Sequence, residues 1–188
     1  VRPIPQLDGE TGFAEVFFDD ARVARANRLG AEHQGWKIAM ATAGFERGLM
    51  LRSPARFQAT ARRLRTLWKT RATNADAALR DAVVRAWMDA EAYSLSTYAT
   101  ASRLLAGGTI GAEASLNKIF WSEMDVKMHE TALAILGPQT GLLPPAAPAD
   151  AAGWLDGFLF SLAGPIYAGT NEIQRNVIAE RLLKLPRD

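Results

Sequence analysis

The 188-residue chain is 48% hydrophobic and carries a net charge of +2, so it can form a substantial core and is not intrinsically disordered. It has no cysteine, which excludes disulfides and thiolate metal ligands and fits a reducing compartment. Its two histidines are too few and too distant in sequence for a metal site, and no apolar run reaches the roughly 18–20 residues of a membrane span.

The first 32 residues contain one short strand pattern. Residues 14–19 are rich in strand-forming side chains and are flanked by Asp-Gly and Asp-Asp turn signals. One strand cannot bury its own face, and even a two-stranded hairpin is marginal. We therefore expect the rest of its sheet to precede the chain, and its apolar side chains to be exposed.

From Gly35 onward the apolar spacing becomes helical. Residues 36, 40, 43, 47 and 50 share one helix face, which predicts a helix from Gly35 to about Lys69, with Pro54 as a kink or a change of helix. Asn74 or Asp76 could cap a second helix over residues 77–106, which Gly107-Gly108 ends.

Three more helices are predicted, over residues 112–136, 154–162 and 171–183. Long amphipathic helices with short connections are typical of a mainly α protein, an up-and-down four-helix bundle. The same pattern assigns three large aromatic side chains to core or interface packing: Trp87, Phe120 and Trp121.

A tight loop, residues 164–169, precedes the last helix. Its glycines and Pro165 break the chain direction and permit close backbone approach. Thr170 or Asn171 can cap the helix, and Gln174 would complete a capping box with Asn171. The N–H groups at such a helix start would receive a phosphate or a carboxylate.

Basic residues follow one another between positions 47 and 71 with no acid among them. A solvated helix surface explains such a run, and a phosphate-rich ligand is the alternative. No nucleic-acid motif accompanies these charges. The residues are Arg47, Arg52, Arg56, Arg62, Arg63, Arg65, Lys69 and Arg71.

Two acidic positions, Asp125 and Glu46, are candidates for chemistry. Asp125 and His129 are four residues apart but lack the second half of a di-iron motif, and His129 beside Glu130 is interpreted as an ordinary helix pair. Glu46 lies beside an apolar helix face, where desolvation would raise its pKa and suit it to act as a base. Composition alone favours a surface pair between Glu46 and Arg47.

The chain resembles the C-terminal half of an acyl-CoA dehydrogenase. The resemblance runs from residues 14–20 and 27–36 through Phe45-Glu46-Arg47-Gly48 to residues 166–176, which read I-Y-A-G-T-N-E-I-Q-R-N. It implies that residues 1–32 are a remnant of the middle β-domain and that residues 33–188 form the helical-bundle domain.

The resemblance also implies a reaction, the FAD-dependent α,β-dehydrogenation of an acyl-CoA thioester. A carboxylate removes the α proton while the β hydrogen leaves as hydride to the flavin. The implied assembly is a homo- or hetero-tetramer that passes electrons to electron-transfer flavoprotein, in the bacterial cytoplasm or the mitochondrial matrix. No nucleic acid and no metal are implied, and the chain alone is expected to be inactive.

Ala168 departs from the family pattern. Most members carry the catalytic glutamate at this point of the loop, and alanine cannot act as a base. Isovaleryl-CoA dehydrogenase and its relatives also lack that glutamate, and their base comes from the first helix of the domain, at the position matching Glu46. The resemblance therefore implies that Glu46 is the catalytic base.

Further roles follow from the same motifs. Substrate contacts are implied for Phe45, Arg47, Tyr167 and Gly169. Contacts to FAD are implied for Arg71, Thr170 and Glu172.

Two more departures leave alternatives open. Thr73-Asn74-Ala75 stands where the family has Phe-Gly after the arginine, and Ala134 replaces the glutamine of Gln-Ile-Leu-Gly-Gly. These changes fit a non-catalytic subunit of a heteromeric acyl-CoA dehydrogenase. A third hypothesis is a standalone helical module that binds phosphorylated ligands through residues 47–71.

Overall fold

The computed structural model describes residues 1–48, 52–71, 76–141 and 149–186, and for residues 43–48, 139, 141, 149, 150 and 152 it describes the backbone alone. Two compact units are present, residues 1–47 and 48–188.

The first unit contains a small hairpin and a helix. Strand β1 (Arg2–Ile4) pairs antiparallel with β2 (Phe13–Glu15), with Pro3 opposite Ala14. The predicted strand therefore covers only three residues, and its partner lies within the chain, which the sequence did not suggest. Phe17 and Phe18 are exposed, as expected for a sheet this small. Helix α1 follows at Gly35–Gly48.

The second unit is a helical bundle. Its helices are α2 (Pro54–Arg71), α3 (Ala77–Leu105), α4 (Ala114–Leu136), α5 (Ala149–Ser161) and a short α6 (Asn171–Val177) that runs into a wider turn at Ile178–Leu182. Helix α4 contacts α2, α3, α5 and α6. The predicted four-helix bundle is confirmed, with α2, α3, α4 and α5 as its members.

Local sequence signals explain several of these boundaries. Proline fixes φ and needs no intrahelical partner for its nitrogen, so Pro54 begins α2 rather than bending one long helix from Gly35. The Asp76 side chain accepts from the backbone N–H groups of Ala78 and Leu79, at 3.0 and 3.1 Å, and so caps α3. Asn74, the other candidate, lies outside the described residues.

The core forms where α2, α3 and α4 meet. Phe57, Tyr93 and Trp121 are almost completely buried, with Phe57 edge-on to Tyr93 and stacked near Trp121. Trp121 is buried in the core, as predicted, and Trp87 is partly buried and packs against the core. Phe120, in contrast, is 39% exposed. Among the helices that the structure describes, none combines the length and apolar character of a membrane span.

Candidate functional site

The loop before α6 has a specific backbone shape. Ala168 and Gly169 both adopt left-handed conformations, with φ of +55° and +86°. A Cβ on Gly164 would lie 2.9 Å from the carbonyl oxygen of Ser161 and 3.4 Å from the Trp121 ring, so only glycine fits there. The loop closes through the Asn171 N–H, which donates to the Pro165 carbonyl at 2.9 Å.

Thr170 caps α6, and the predicted capping box is wrong. The Thr170 hydroxyl accepts from the Ile173 N–H at 3.3 Å. Gln174 instead turns back and donates to the carbonyls of Ala168 and Gly169, at 3.1 and 3.3 Å. With Thr170 as the cap, Gln174 lies one residue beyond the position from which a capping box is made.

The helix start already holds an anion. Glu172 is exposed in the first turn of α6, and its pKa is lowered because its carboxylate accepts from its own backbone N–H and, to a smaller extent, from Thr170. A carboxylate is favourable at this end of a helix. The predicted receptive helix start is therefore occupied in part by the chain's own Glu172.

A buried polar network lies directly under the loop. The Asn171 side chain accepts from the Lys118 ammonium at 2.7 Å, contacts the Ser122 hydroxyl at 3.2 Å and donates to Glu123 at 3.3 Å. Lys118 is fully buried, and that burial lowers its pKa, while the charges of Glu172 and Glu123 act in the opposite direction. The network ties the first turn of α6 to α4.

A second buried cluster lies one turn further along α4. Asp125 accepts from Arg56 at 2.9 Å, and the His129 ring contacts both the carbonyl and the carboxylate of Asp125. Burial raises the pKa of Asp125, opposed by the charges of Arg56, His129 and Arg52. The interpretation of His129 as an ordinary pair with Glu130 is wrong, because His129 is buried against Trp154 of α5.

A sequence signal for both clusters existed. Lys118, Ser122, Asp125 and His129 recur at steps of four, three and four, which places them on one face of α4, and all four are buried. A polar stripe at core spacing indicates a buried hydrogen-bond network. Within the described ranges, no three histidine, aspartate or glutamate side chains gather as metal ligands.

The arginines of α2 do more than solvate a surface. Arg63 and Arg65 are exposed, as predicted for a solvated helix surface. The Arg63 guanidinium nevertheless lies 4.6 Å from the ring centre of Trp154, and that of Arg65 lies 5.2 Å from the ring centre of Trp87. Arg56, half-buried, pairs with Asp125. These intramolecular contacts weaken the case for a phosphate-binding patch along residues 47–71.

The predicted site residues divide into two groups. The structure brings Tyr167, Gly169, Thr170 and Glu172 together around the loop. Arg71 is exposed at the end of α2, and the residues after it lie outside the described ranges.

Phe45, Glu46 and Arg47 belong to the helical backbone of α1. Their side chains lie outside the described residues, so their roles stay predictions.

Comparison with known proteins identifies relatives over the whole chain. The model of the family described as acyl-CoA dehydrogenase, C-terminal domain, matches residues 33–183. Acyl-CoA dehydrogenase IpdE1 of Mycobacterium tuberculosis is 36% identical over 189 residues, which are 100% of this chain and 48% of that protein. The chain thus spans about half the length of this relative.

Solved structures show the same fold. The ChsE4-ChsE5 complex from Mycobacterium tuberculosis matches with a TM-score of 0.77 and 26% identity, over 99% of this chain and 50% of that one. The Tcur3481-Tcur3483 steroid ACAD matches with a TM-score of 0.80 and 21% identity, over 99% of this chain and 48% of that one.

Proposed function

The chain belongs to the acyl-CoA dehydrogenase family, whose C-terminal domain it represents, and on that premise we propose that it serves the FAD-dependent α,β-dehydrogenation of an acyl-CoA thioester with Glu46 as the base. The observation that carries the proposal is Ala168. It is exposed in the left-handed turn between Tyr167 and Gly169, where its methyl group cannot take a proton.

The role of Glu46 rests on its place in the sequence. It lies in α1 within Phe45-Glu46-Arg47-Gly48. The resemblance to isovaleryl-CoA dehydrogenase and its relatives implies that this segment supplies the base where the loop glutamate is lacking. A carboxylate within hydrogen-bond reach of the α carbon would take the proton whose acidity the thioester carbonyl increases. Gly169 and Arg47 would hold the acyl-CoA, and backbone donors near its carbonyl would stabilise enolate character.

The loop residues fit one edge of a flavin cofactor. The Thr170 hydroxyl accepts from the Ile173 N–H and donates to the Glu172 carboxylate, so the two side chains form one polar edge that would meet the flavin. Glu172 is exposed, and its lowered pKa keeps it ionised, so it suits hydroxyl or N–H donors of the cofactor and would repel a diphosphate. When bound, FAD would accept the β hydrogen as hydride. Arg71 would contact the diphosphate from a neighbouring subunit.

A second candidate is a non-catalytic subunit of a heteromeric acyl-CoA dehydrogenase. Ala134 and Thr73-Asn74-Ala75 replace residues with which the family holds FAD across subunits. The likeness to the ChsE4-ChsE5 complex, a two-component assembly, supports this candidate.

The proposed assembly is a tetramer, and the proposed electron acceptor is electron-transfer flavoprotein. The proposed location is the bacterial cytoplasm, since the curated relatives are mycobacterial and lend no support to the mitochondrial matrix.

The test is Glu46→Gln in the intact protein. We expect turnover of acyl-CoA to fall about 10²–10⁴-fold, because general-base catalysis supplies that much, with flavin absorbance unchanged. The matched control is Glu32→Gln, an exposed acid of the same unit whose contact is Arg28 at 3.5 Å, and it should leave turnover unaltered.

Two results would overturn parts of the proposal. Undiminished turnover by the Glu46→Gln enzyme would remove Glu46 as base. An intact protein that purifies with one partner and takes up flavin only at the partner's site would favour the non-catalytic subunit.

A further inference from the structure

Arg52 is surrounded by three aromatic side chains from separate parts of the bundle. Its guanidinium lies over the rings of Trp121 and Tyr167, each 5.3 Å from the ring centre, and donates to the Tyr167 hydroxyl at 2.8 Å. Its backbone carbonyl accepts from the Tyr93 hydroxyl at 2.9 Å. Arg52 therefore joins the start of α2 to α3, α4 and the loop.

The chemistry of this position requires arginine. A planar guanidinium can stack on one ring and donate in its own plane to a hydroxyl, whereas a lysine ammonium is a point charge that cannot satisfy both contacts. Asp125 supplies a negative charge nearby, which compensates the half-buried cation. The two rings and the Tyr167 hydroxyl together fix the direction of the side chain.

The partner of Arg52 is the residue on which the loop turns. Tyr167 directly precedes Ala168, a non-glycine residue at φ +55°, and a left-handed conformation costs such a residue about 1–2 kcal/mol. Strained turns of this kind persist when their surroundings hold them from several sides. Gln174 holds the loop from the α6 side through the Ala168 and Gly169 carbonyls. Arg52 holds it from the α2 side.

We propose that Arg52 is a positioning residue that fixes Tyr167, and through it the backbone of Ala168 and Gly169, against the acyl-CoA. The inference rests on the proposed function for its catalytic consequence. Its structural part, the restraint of the loop, stands on the contacts alone.

The experiment compares Arg52→Lys and Arg52→Met in the intact protein with Arg65→Lys and Arg65→Met. Arg65 is the matched control because it lies on the same helix over Trp87, at 5.2 Å, away from the loop. Hydrogen exchange of the Tyr167 and Asn171 amides reports on the loop, since these groups donate to Ala163 and Pro165.

We expect both Arg52 variants to exchange these two amides about tenfold faster, from the loss of a cation–π contact and a hydrogen bond, with exchange in α3 and α4 unchanged. Lysine should fail to rescue, and added methylguanidinium should restore protection in an Arg52→Ala protein. Turnover at saturating substrate should fall with the loop's protection while flavin content stays constant.

Unchanged loop exchange, or an equal rise throughout α3 and α4, would overturn the assignment. Faster loop exchange with unaltered kcat and KM would overturn the catalytic consequence. A wild-type protein that dehydrogenates no acyl-CoA, while its loop still responds to Arg52, would refute the proposed function and support the loop restraint.

Discussion

The buried pair of Lys118 and Asn171 offers a direct test of what the polar network contributes. Lys118 is fully buried, and the one hydrogen bond described for its ammonium goes to Asn171 at 2.7 Å. Removal of the acceptor and removal of the charge should therefore have very different effects. The perturbations are Asn171→Ala, Lys118→Met and the two combined, with Lys127→Met as an exposed control on the same helix.

Asn171→Ala should be the most damaging change. It deletes contacts to Lys118, Ser122 and Glu123 and leaves a buried ammonium without its acceptor, so the free energy of unfolding should fall by about 3–5 kcal/mol. Lys118→Met removes the charge and keeps most of the volume, and Asn171 retains Ser122, so it should cost within about 1.5 kcal/mol. Adding Lys118→Met to Asn171→Ala should recover about 2 kcal/mol.

The assay is equilibrium urea unfolding at pH 7, followed by a series at rising pH. Burial lowers the pKa of Lys118, so between that lowered value and the usual 10.5 the unfolded chain binds the proton and the folded protein does not. Stability of the wild type should therefore gain a contribution from Lys118 as pH rises through this window. The Lys118→Met protein should lack that contribution.

A larger loss of stability for Lys118→Met than for Asn171→Ala would contradict this expectation, since the ammonium would then contribute net stability. An alkaline pH profile that Lys118→Met leaves unchanged would contradict it equally. Lys127→Met should differ from wild type by no more than about 0.5 kcal/mol.

Substitutions at Gly157 and Ala168 should change the stability of the protein in opposite directions. Gly157→Ala should lower the free energy of unfolding, measured by thermal unfolding, by about 1–3 kcal/mol, because the new Cβ would lie 2.4 Å from His129 Nε2. Gly153→Ala is the control: the nearest atom to its new Cβ is a side-chain nitrogen at 3.7 Å, so it should be neutral or stabilising. Ala168→Gly should raise stability by about 1 kcal/mol because it relieves a left-handed alanine that is exposed, and Ala163→Gly should show no such gain.

Sequence periodicity predicted the helices well and their junctions less well. Residues 77–106 and 112–136 correspond closely to α3 and α4, because long apolar spacing and glycine stops are local properties. The sequence left open whether Pro54 kinks one helix or marks a change of helix, since a proline can bend a helix or begin one. The structure has the change of helix, with α2 beginning at Pro54, and only packing separates these outcomes.

The pairing of buried side chains was the feature that the sequence predicted least well. Leu116 and Phe120 fit a four-residue step with Met124 and Met128 but are 47% and 39% exposed, while the polar stripe that includes Asp125 occupies the interior. A polar residue is buried when a partner from another helix satisfies it, and the identity of that partner is not encoded in local spacing.

The sequence by itself determined the fold class, the family resemblance and the presence of alanine at position 168, where most of the family has glutamate. Composition, helical period and a contiguous motif can all be recognised along one chain. The tertiary structure decided that Thr170 caps α6, that Lys118 and Asp125 are buried and paired, and that Arg52 restrains the loop. These features depend on residues far apart in sequence. Burial removes water from such groups, so the partner that the fold brings to each one sets its charge, its orientation and its role.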